Sequence, residues 1–188
     1  MPIKRHISPS LRVITDEDIS AHINKELVRV NSTRTVLVCG STLASSSTFE
    51  RLCAKIGKNV AGVYSGVSAN SPRTAVESCS QYLKSVEADA VVALGGGSAM
   101  VTARAATILA GENGSLETLC GHRTAEGKLT RPLLREPKLP ILAIPSTPST
   151  AIVKAGAAVL DTDINERMTL FDPSTRPTSI LIDTTLLQ

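Results

Sequence analysis

Runs of consecutive apolar residues alternate along this chain with segments in which apolar residues recur every three or four positions. The runs are typical of strands buried on both faces of a sheet, and the three-to-four spacing is typical of amphipathic helices. The pattern predicts strands at residues 34–39, 60–64, 90–94 and 141–144, and helices at 48–56, 72–86 and 98–110. This order predicts an α/β fold with a Rossmann-like parallel sheet that carries helices on both faces.

Two regions depart from the alternation of strands and helices. Residues 111–140 are polar and only weakly periodic, which predicts a long surface excursion. Beyond Pro145, residues 155–160 and 179–182 read as strands that are joined by the polar, proline-containing segment 161–177. The sequence therefore predicts a β-hairpin or a mixed-sheet extension after the parallel sheet.

The third predicted strand runs directly into three glycines, Gly95, Gly96 and Gly97, in the stretch VVALGGGSAM. Glycine has no Cβ, so backbone amides there can approach a phosphate, and the first turn of the next helix adds unpaired N–H donors. Ser98 could cap that helix and donate its hydroxyl. The stretch is not a G-x-G-x-x-G fingerprint and no Walker lysine follows. An anion site and a tight turn without a ligand therefore both remain open.

A second polar stretch follows the fourth predicted strand, where Ser146, Thr147, Ser149 and Thr150 bring four hydroxyls together. The carboxyl ends of parallel strands lie on one rim of the sheet, so these hydroxyls are expected beside the glycines. An ordinary Ser/Thr/Pro turn is the alternative. Because both features fall on one rim, the sequence favours a nucleotide site there.

Composition narrows the possible partners. The chain has 188 residues, 42% hydrophobic, which suits one globular domain. Aromatic residues make up 2%, the net charge is +3 and no run of five like charges occurs, so nucleic acid and membrane surfaces are not expected partners. No apolar stretch approaches the ~18 residues of a membrane helix, and the polar start, residues 1–10, is not a secretory signal. Four widely spaced cysteines suit reduced thiols in a cytoplasmic protein.

Several stretches together carry a family resemblance: RTVLVCGSTL, YSGVSANSP, EADAVVALGGGSAMVTAR, LPILAIPSTPST, FDP and ILID. In this order and separation they resemble the iron-containing alcohol dehydrogenase family, which shares its fold with dehydroquinate synthase. The segment STPSTAIVKAGAAVLD is similar to a maleylacetate-reductase-like branch. The resemblance covers the chain from Arg34 onward, and it implies that residues 1–188 form the NAD(P)-binding N-terminal domain of that fold.

The resemblance also implies roles for particular residues. Gly96, Gly97 and Ser98, following Gly95, match the positions that hold the pyrophosphate, and Thr147 and Thr150, with Ser146 beside them, match hydroxyl residues that line the cofactor. Arg167 falls where the family usually has a lysine near the nicotinamide ribose. Gly40 falls where NAD-preferring members carry an aspartate, so the neutral Gly40, Ser41 and Thr42 are compatible with NADP as well as NAD.

This sequence departs from the family pattern at several positions. Val101 stands where the family has an aspartate, and Arg104 where it has a lysine. The glycine, serine and glutamate that commonly follow the Thr-rich segment are replaced by residues 151–153, Ala-Ile-Val. These changes concern the orientation of the cofactor, or they mark a branch with its own substrate. They leave the catalytic residues unassigned.

The length of the chain is the largest departure. Members resembling it are roughly twice as long and carry a helical second domain with the metal ligands. His6, His22 and His122 have neither metal-ligand spacing nor a neighbouring carboxylate, so all three are predicted to be surface residues and no metal is expected in this chain.

Two functions of different class follow from these observations. One is the cofactor-binding half of an NAD(P)-dependent oxidoreductase of alcohol dehydrogenase or maleylacetate reductase type, acting on a small carbonyl or 2-ene acid. It would be completed by a homodimer, a second domain or a second chain, and it would be inactive as a dehydrogenase alone. The other is a repurposed non-redox protein: a metal-independent isomerase or lyase, or a nucleotide-binding or dimerisation module.

Overall fold

A computed structural model describes residues 10–187 of the chain, so the polar segment 1–9 with His6 lies outside the described residues. Ten strands occur in this range: β1 Arg12–Asp16, β2 Thr35–Val38, β3 Val60–Tyr64, β4 Ala90–Gly95, β5 His122–Arg123, β6 Leu129–Thr130, β7 Ile141–Pro145, β8 Gly156–Asp161, β9 Glu166–Phe171 and β10 Ser179–Asp183. The α-helices of this range are α1 Ser20–Arg29, α2 Ser41–Ala44, α3 Ser47–Ile56, α4 Arg73–Ser85, α5 Gly97–Gly111 and α6 Leu116–Leu119. Short 3-10 turns occur at Gly57–Asn59, Thr150–Ile152 and Pro173–Thr175.

Six strands form one sheet in the order β1-β10-β7-β4-β2-β3, and every pairing in it is parallel. From β2 the chain moves outward to β3, and it then returns past β2 to β4 and β7 on the other side. The connection that follows β2 therefore runs toward one edge of the sheet, and the connection that follows β4 runs toward the other edge. Doubly wound sheets bind ligands at such a switch point, outside the carboxyl ends of the strands.

Helices cover both faces of this sheet because successive side chains of each strand point to opposite faces. Leu37, Val92 and Leu142 pack with α1 and α3, whereas the neighbouring Val36 and Val91 pack with α4 and α5. All of these side chains are fully buried. The continuous apolar runs in the sequence reflect this burial on both faces, and the predicted Rossmann-like class is confirmed.

Helix α5 is buried on nearly all sides. One side packs on the sheet, and its outer side packs against the β8–β9 hairpin, where Ala105 and Ile108 meet Val159 and Leu170. The many alanines of this helix allow such close packing on two layers. At 15 residues α5 is the longest helix of residues 10–187, and none of the helices in that range has the length and hydrophobicity needed to cross a bilayer.

Three parts of the fold differ from the sequence prediction. Strand β10 lies inside the main sheet between β1 and β7, so the hairpin partner of β8 is β9, which lies in the segment predicted to be a polar connection. Region 111–140 is not wholly a surface excursion, because Leu116 of α6 is fully buried. Strand β1 and helix α1 precede the first predicted element. β1 was not predicted from the hydrophobic pattern because its side chains are largely exposed.

The four cysteines are free thiols. Burial raises the pKa of Cys79 to about 12. Burial also raises the pKa of Cys39 and Cys120 to about 11, with smaller contributions from the neighbouring Cys53 thiol at Cys39 and from Glu117 at Cys120. These three thiols therefore remain protonated at neutral pH and behave as small apolar side chains of the core.

Candidate functional site

The glycine loop, residues 95–98, joins β4 to the first turn of α5. Gly95 has a φ of +140°, a conformation that side chains rarely adopt. The amides of Ala99 and Met100 already donate to the carbonyl of Gly96. The amides of Gly96, Gly97 and Ser98 donate to no protein acceptor within residues 10–187, and these three residues are only partly buried. The loop thus offers three open donors at the positive end of a 15-residue helix.

Hydroxyl groups from the segment after β7 lie beside these amides. The amide of Ser146 donates to the carbonyl of Gly95 over 3.1 Å, which ties the two loops together. A Cβ at Gly96 would lie 3.0 Å from Oγ1 of Thr147, and a Cβ at Gly97 would lie 3.2 Å from Oγ of Ser149. The absence of side chains therefore keeps a cradle open between amides and hydroxyls. The structure brings Ser146 and Thr147 to the glycines, as the sequence predicts.

Residues Gly40, Ser41 and Thr42 lie across the switch point at the carboxyl end of β2. Gly40 precedes the first residue of α2, and Ser41 and Thr42 are exposed. The next residue, Leu43, places its Cδ1 3.4 Å from the position of a Cβ on Gly95. A Cβ on Gly40 would contact only the Val67 carbonyl oxygen, at 3.5 Å. This segment therefore borders the glycine loop, and position 40 has room for a side chain.

Arg167 reaches the glycine loop through Asn70, which follows β3 on the same rim. The Arg167 guanidinium donates to the carbonyl oxygen and to Oδ1 of Asn70, both over 3.0 Å. The Asn70 amide in turn donates to Oγ of Ser98 over 3.2 Å, and the Ser71 hydroxyl donates to the Ser98 carbonyl over 3.0 Å. Asn70 and Ser71 have φ values of 65° and 49°, so this loop is held in a sparsely populated conformation.

This arrangement corrects one expectation and adds two residues. Ser98 is not the N-cap of α5, since Gly96 holds that position without a side-chain cap, and the Ser98 hydroxyl accepts from Asn70 instead. Sequence reasoning missed Asn70 and Ser71, whereas Ser149 was already among the four hydroxyl residues expected beside the glycines. The position of residue 70 after a predicted strand was a signal, but a polar loop sequence does not reveal which way its groups face.

Thr150 lies farther along the same rim. It begins the 3-10 turn Thr150–Ile152 and is exposed. With Ser149 and Val101 it lines a cavity of about 340 Å³, whose other wall is the β8–β9 hairpin. Thr150 therefore faces this cavity, and Ser149 is shared between the cavity and the glycine loop.

Arg104, which stands at the family's lysine position, is a buried structural cation. Only 1% of it is exposed, and it donates to the carbonyls of Ala151 over 2.7 Å, Gly156 over 2.9 Å and Thr175 over 3.4 Å. Burial, and secondarily the charge of Arg176, lower the pKa of Arg104 to about 10. Arg104 thus links three segments around α5: the 3-10 turn that carries Thr150, the first residue of β8 and the 3-10 turn Pro173–Thr175.

Two of the histidines lie among the described residues, and one of them differs from expectation. His122 is exposed on β5. His22 has a carboxylate neighbour, since its Nε2 lies 2.7 Å from Oδ2 of Asp16, and this hydrogen bond lowers the pKa of Asp16. The pair stands alone: within residues 10–187 no group of three or more His, Cys, Asp or Glu side chains is arranged to hold a metal ion. These residues therefore do not fit a catalytic metal.

Comparison with solved structures shows the same fold in several reductases and dehydrogenases. Sulfoacetaldehyde reductase from Bifidobacterium kashiwanohense, in complex with NAD+, superposes with a TM-score of 0.84 at 19% identity, over 99% of this chain and 48% of that chain. Maleylacetate reductase from Agrobacterium tumefaciens gives 0.74 at 18% identity, over 100% and 45%. Alcohol dehydrogenase from Oenococcus oeni gives 0.80 at 21% identity, over 95% and 45%. The chain thus spans about half the length of these proteins.

Sequence comparison gives the family. No curated protein sequence matches the chain significantly. The family model described as iron-containing alcohol dehydrogenase matches residues 9–184. The similarity to the family therefore also includes residues before Arg34, the position at which the recognised motifs begin. Because this match covers most of the sequence, the chain belongs to the iron-containing alcohol dehydrogenase family.

Proposed function

We propose that this chain is the NAD(P)-binding half of an oxidoreductase that acts on a small carbonyl or alcohol. The observation that carries the proposal is the set of three open amides, Gly96 to Ser98, at the N-terminus of α5 and at the switch point of the sheet. Helix N-termini of this kind bind diphosphates. Membership of the family and the NAD+ complex of the structurally similar sulfoacetaldehyde reductase support the same ligand.

The residues of the rim fit a dinucleotide along its length. The amides of Gly96, Gly97 and Ser98 would hold the diphosphate, with hydroxyls of Thr147 and Ser149 beside it. Gly40, Ser41 and Thr42 would receive the adenosine ribose, and Arg167 with Asn70 would face the nicotinamide ribose. Thr150 and Ser146 would line the path between these groups. When bound, NAD(P) supplies the hydride chemistry, and this chain fixes its position and shields one side of it from water.

The rest of the catalytic centre would come from outside the described residues. A second domain, a second chain or a second copy of this one would close the cleft and add groups that polarise the substrate oxygen. We accordingly expect the chain alone to bind the dinucleotide and not to turn it over. The alternative considered from the sequence is a non-redox protein of the same fold, either a metal-independent isomerase or lyase or a nucleotide-binding or dimerisation module; it would produce no change in nicotinamide absorbance even after a second domain or chain is added.

A titration of the purified chain with NADH and NADPH tests the proposal. The chain has no tryptophan, so protein fluorescence cannot report binding. The signal to follow is the nicotinamide fluorescence of the coenzyme, which we expect to increase on binding. The dissociation constant should fall in the ~1 μM–1 mM range in which enzymes hold their substrates. Absence of binding of both coenzymes up to several millimolar would contradict the proposal.

The choice between NADH and NADPH is tested by Gly40→Asp. Position 40 has room for the side chain, because a Cβ there would contact only the Val67 carbonyl oxygen at 3.5 Å. A carboxylate would accept from the ribose 2′-OH and repel a 2′-phosphate. We expect the affinity for NADPH to fall at least about tenfold, about 1.4 kcal/mol, and that for NADH to hold or rise. The same titration of Ser47→Asp, which adds the charge at the exposed start of α3, should leave both affinities unchanged.

A further inference from the structure

The turn between α5 and α6, residues 112–115, is here called the helix junction. Its central residues, Asn113 and Gly114, form the one Asn-Gly pair of the sequence, and both are exposed. Within residues 10–187 the Asn113 side chain forms no hydrogen bond, and the Gly114 amide donates to no protein acceptor. The side-chain amide and the backbone amide that follows it are therefore both unrestrained and open to water.

An asparagine followed by glycine can undergo a reaction that consumes only water. The Gly114 backbone nitrogen loses its proton and attacks Cγ of Asn113, the bond from Cγ to the side-chain nitrogen breaks, and ammonia leaves. Glycine has no Cβ that would obstruct this attack. Water then adds to either carbonyl of the cyclic succinimide and one C–N bond breaks. The product is aspartate or isoaspartate, and in isoaspartate the main chain runs through Cβ and Cγ.

Both ends of the helix junction are anchored, so the junction has little room for an added main-chain atom. The carboxylate of Glu112, at the end of α5, pairs with Nζ of Lys138 over 2.6 Å. At the other end, Ser115 and Thr118 form a capping box at the start of α6. A Cβ at Gly114 would lie 2.7 Å from Oγ1 of Thr118, so the backbone between the anchors already packs against α6. Isoaspartate adds a methylene group to this backbone, and α6 has to shift to make room for it.

Helix α6 belongs to the core that supports the β8–β9 hairpin. Leu116 is fully buried, and together with Leu119 it packs in the same cluster as Leu170 of β9. Directly after α6, the Gly121 amide donates to the carbonyl of Thr169 in β9 over 2.8 Å. A shift of α6 would therefore disturb both the core beneath the hairpin and a hydrogen bond to its second strand.

We propose that Asn113 is a site of spontaneous isoaspartate formation, and that this modification loosens α6. The inference goes beyond the proposed function, since it assigns a chemical modification to the end of α5 opposite the glycine loop. Asn165, in the turn between β8 and β9, is the matched internal control. It is also exposed, and its side chain forms no hydrogen bond within residues 10–187, but the side chain of Glu166 follows it and hinders the attack.

The first measurement is the rate of deamidation in the folded chain at mildly alkaline pH. Mass spectrometry of the tryptic peptides 105–123 and 155–167 follows the two asparagines, and resistance to endoproteinase Asp-N distinguishes isoaspartate from aspartate. We expect Asn113 to react at least about tenfold faster than Asn165, which corresponds to about 1.4 kcal/mol of activation free energy. Equal rates at the two positions would overturn the proposal. A rate at Asn113 more than about tenfold below that of the urea-unfolded chain would also overturn it, because the fold would then hold the reacting groups apart.

The second measurement is hydrogen exchange of the α6 amides. Leu119 and Cys120 donate to the carbonyls of Ser115 and Leu116 over 3.0 and 2.9 Å. We expect these two amides to exchange at least about tenfold faster in the isoaspartyl fraction of the aged chain than in the fresh chain. Asn113→Asp is the matched control, since it adds the same charge without the extra main-chain atom, and its exchange should stay within twofold of the fresh chain. Equal exchange in the isoaspartyl chain and the Asn113→Asp chain would show that the modification does not loosen α6.

Discussion

Replacement of Gly97 by valine is expected to weaken the binding of NADH and NADPH at least about 100-fold, which corresponds to about 2.7 kcal/mol. A Cβ at this position would already lie 3.2 Å from Oγ of Ser149, so the two methyl groups of valine would fill the cradle between the loop and the hydroxyl segment. The diphosphate would then lose the amides of Gly97 and Ser98. Hydrogen bonds to charged groups are worth roughly 1.5–3 kcal/mol each, so the loss of two accounts for the effect.

The measurement is the nicotinamide fluorescence titration, with circular dichroism to show that the variant remains folded. Gly97→Ala provides a graded variant, because a single methyl group needs a shift of only a few tenths of an ångström at Ser149, and a smaller loss is expected. Gly127→Asn is the matched control: Gly127 has a φ of +77°, which asparagine tolerates, and a Cβ there would meet nothing within 4 Å. An affinity of Gly97→Val within twofold of the original chain would remove the loop from the dinucleotide site.

Arg104→Met should lower the free energy of unfolding by about 3 kcal/mol, the largest effect on stability that we expect from one substitution at this rim. Methionine fills much of the same space but donates nothing, so the carbonyls of Ala151, Gly156 and Thr175 would lose their donor. Each buried polar group left unpaired costs about 1–3 kcal/mol, and removal of a buried cation offsets part of the sum. Arg104→Lys keeps the charge but not the three-way geometry, and it should cost about half as much.

Urea unfolding followed by circular dichroism measures both variants. Arg176→Met is the control. Arg176 is half-buried, and its positive charge repels that of Arg104. Its side chain forms no ion pair or hydrogen bond within residues 10–187. We expect its free energy of unfolding to be unchanged or slightly higher. A loss below about 1 kcal/mol for Arg104→Met would show that water or relaxed backbone satisfies the three carbonyls, contrary to the structural role assigned here.

The sequence predicted β2, β3, β4, β7, β8 and β10, and the prediction was most direct for the strands that are buried on both faces. β2, β4 and β7 consist of fully buried residues, and an unbroken apolar run leaves little ambiguity about them. β1 and β9 were not predicted, because exposed polar side chains interrupt their apolar positions. The pairing partners of the strands could not be predicted from the hydrophobic pattern either. The residues of β10 would look the same whether β10 were an inner strand of the main sheet or the partner of β8.

The candidate site could be predicted as far as backbone chemistry determines it. Three glycines between a buried strand and a helix indicate open amides whatever surrounds them, and parallel strands place the hydroxyl segment on the same rim. The partners of Arg167 and Arg104 could not be predicted, since they lie 97 and 47 to 71 positions away in sequence. Contacts over such separations depend on the tertiary fold and leave no local pattern.

The place of β10 in the sheet has a consequence for the order in which the chain assembles. Among the strands of residues 10–187, β1 pairs with β10 alone, and Arg12 is aligned with Ser179, so β1 must wait until the much later β10 has been synthesised before it can pair. Closing so long a segment costs entropy that no earlier contact of β1 repays. During synthesis the nascent sheet is therefore expected to grow from β2, β3, β4 and β7, and its β1 edge is completed only after β10 has emerged.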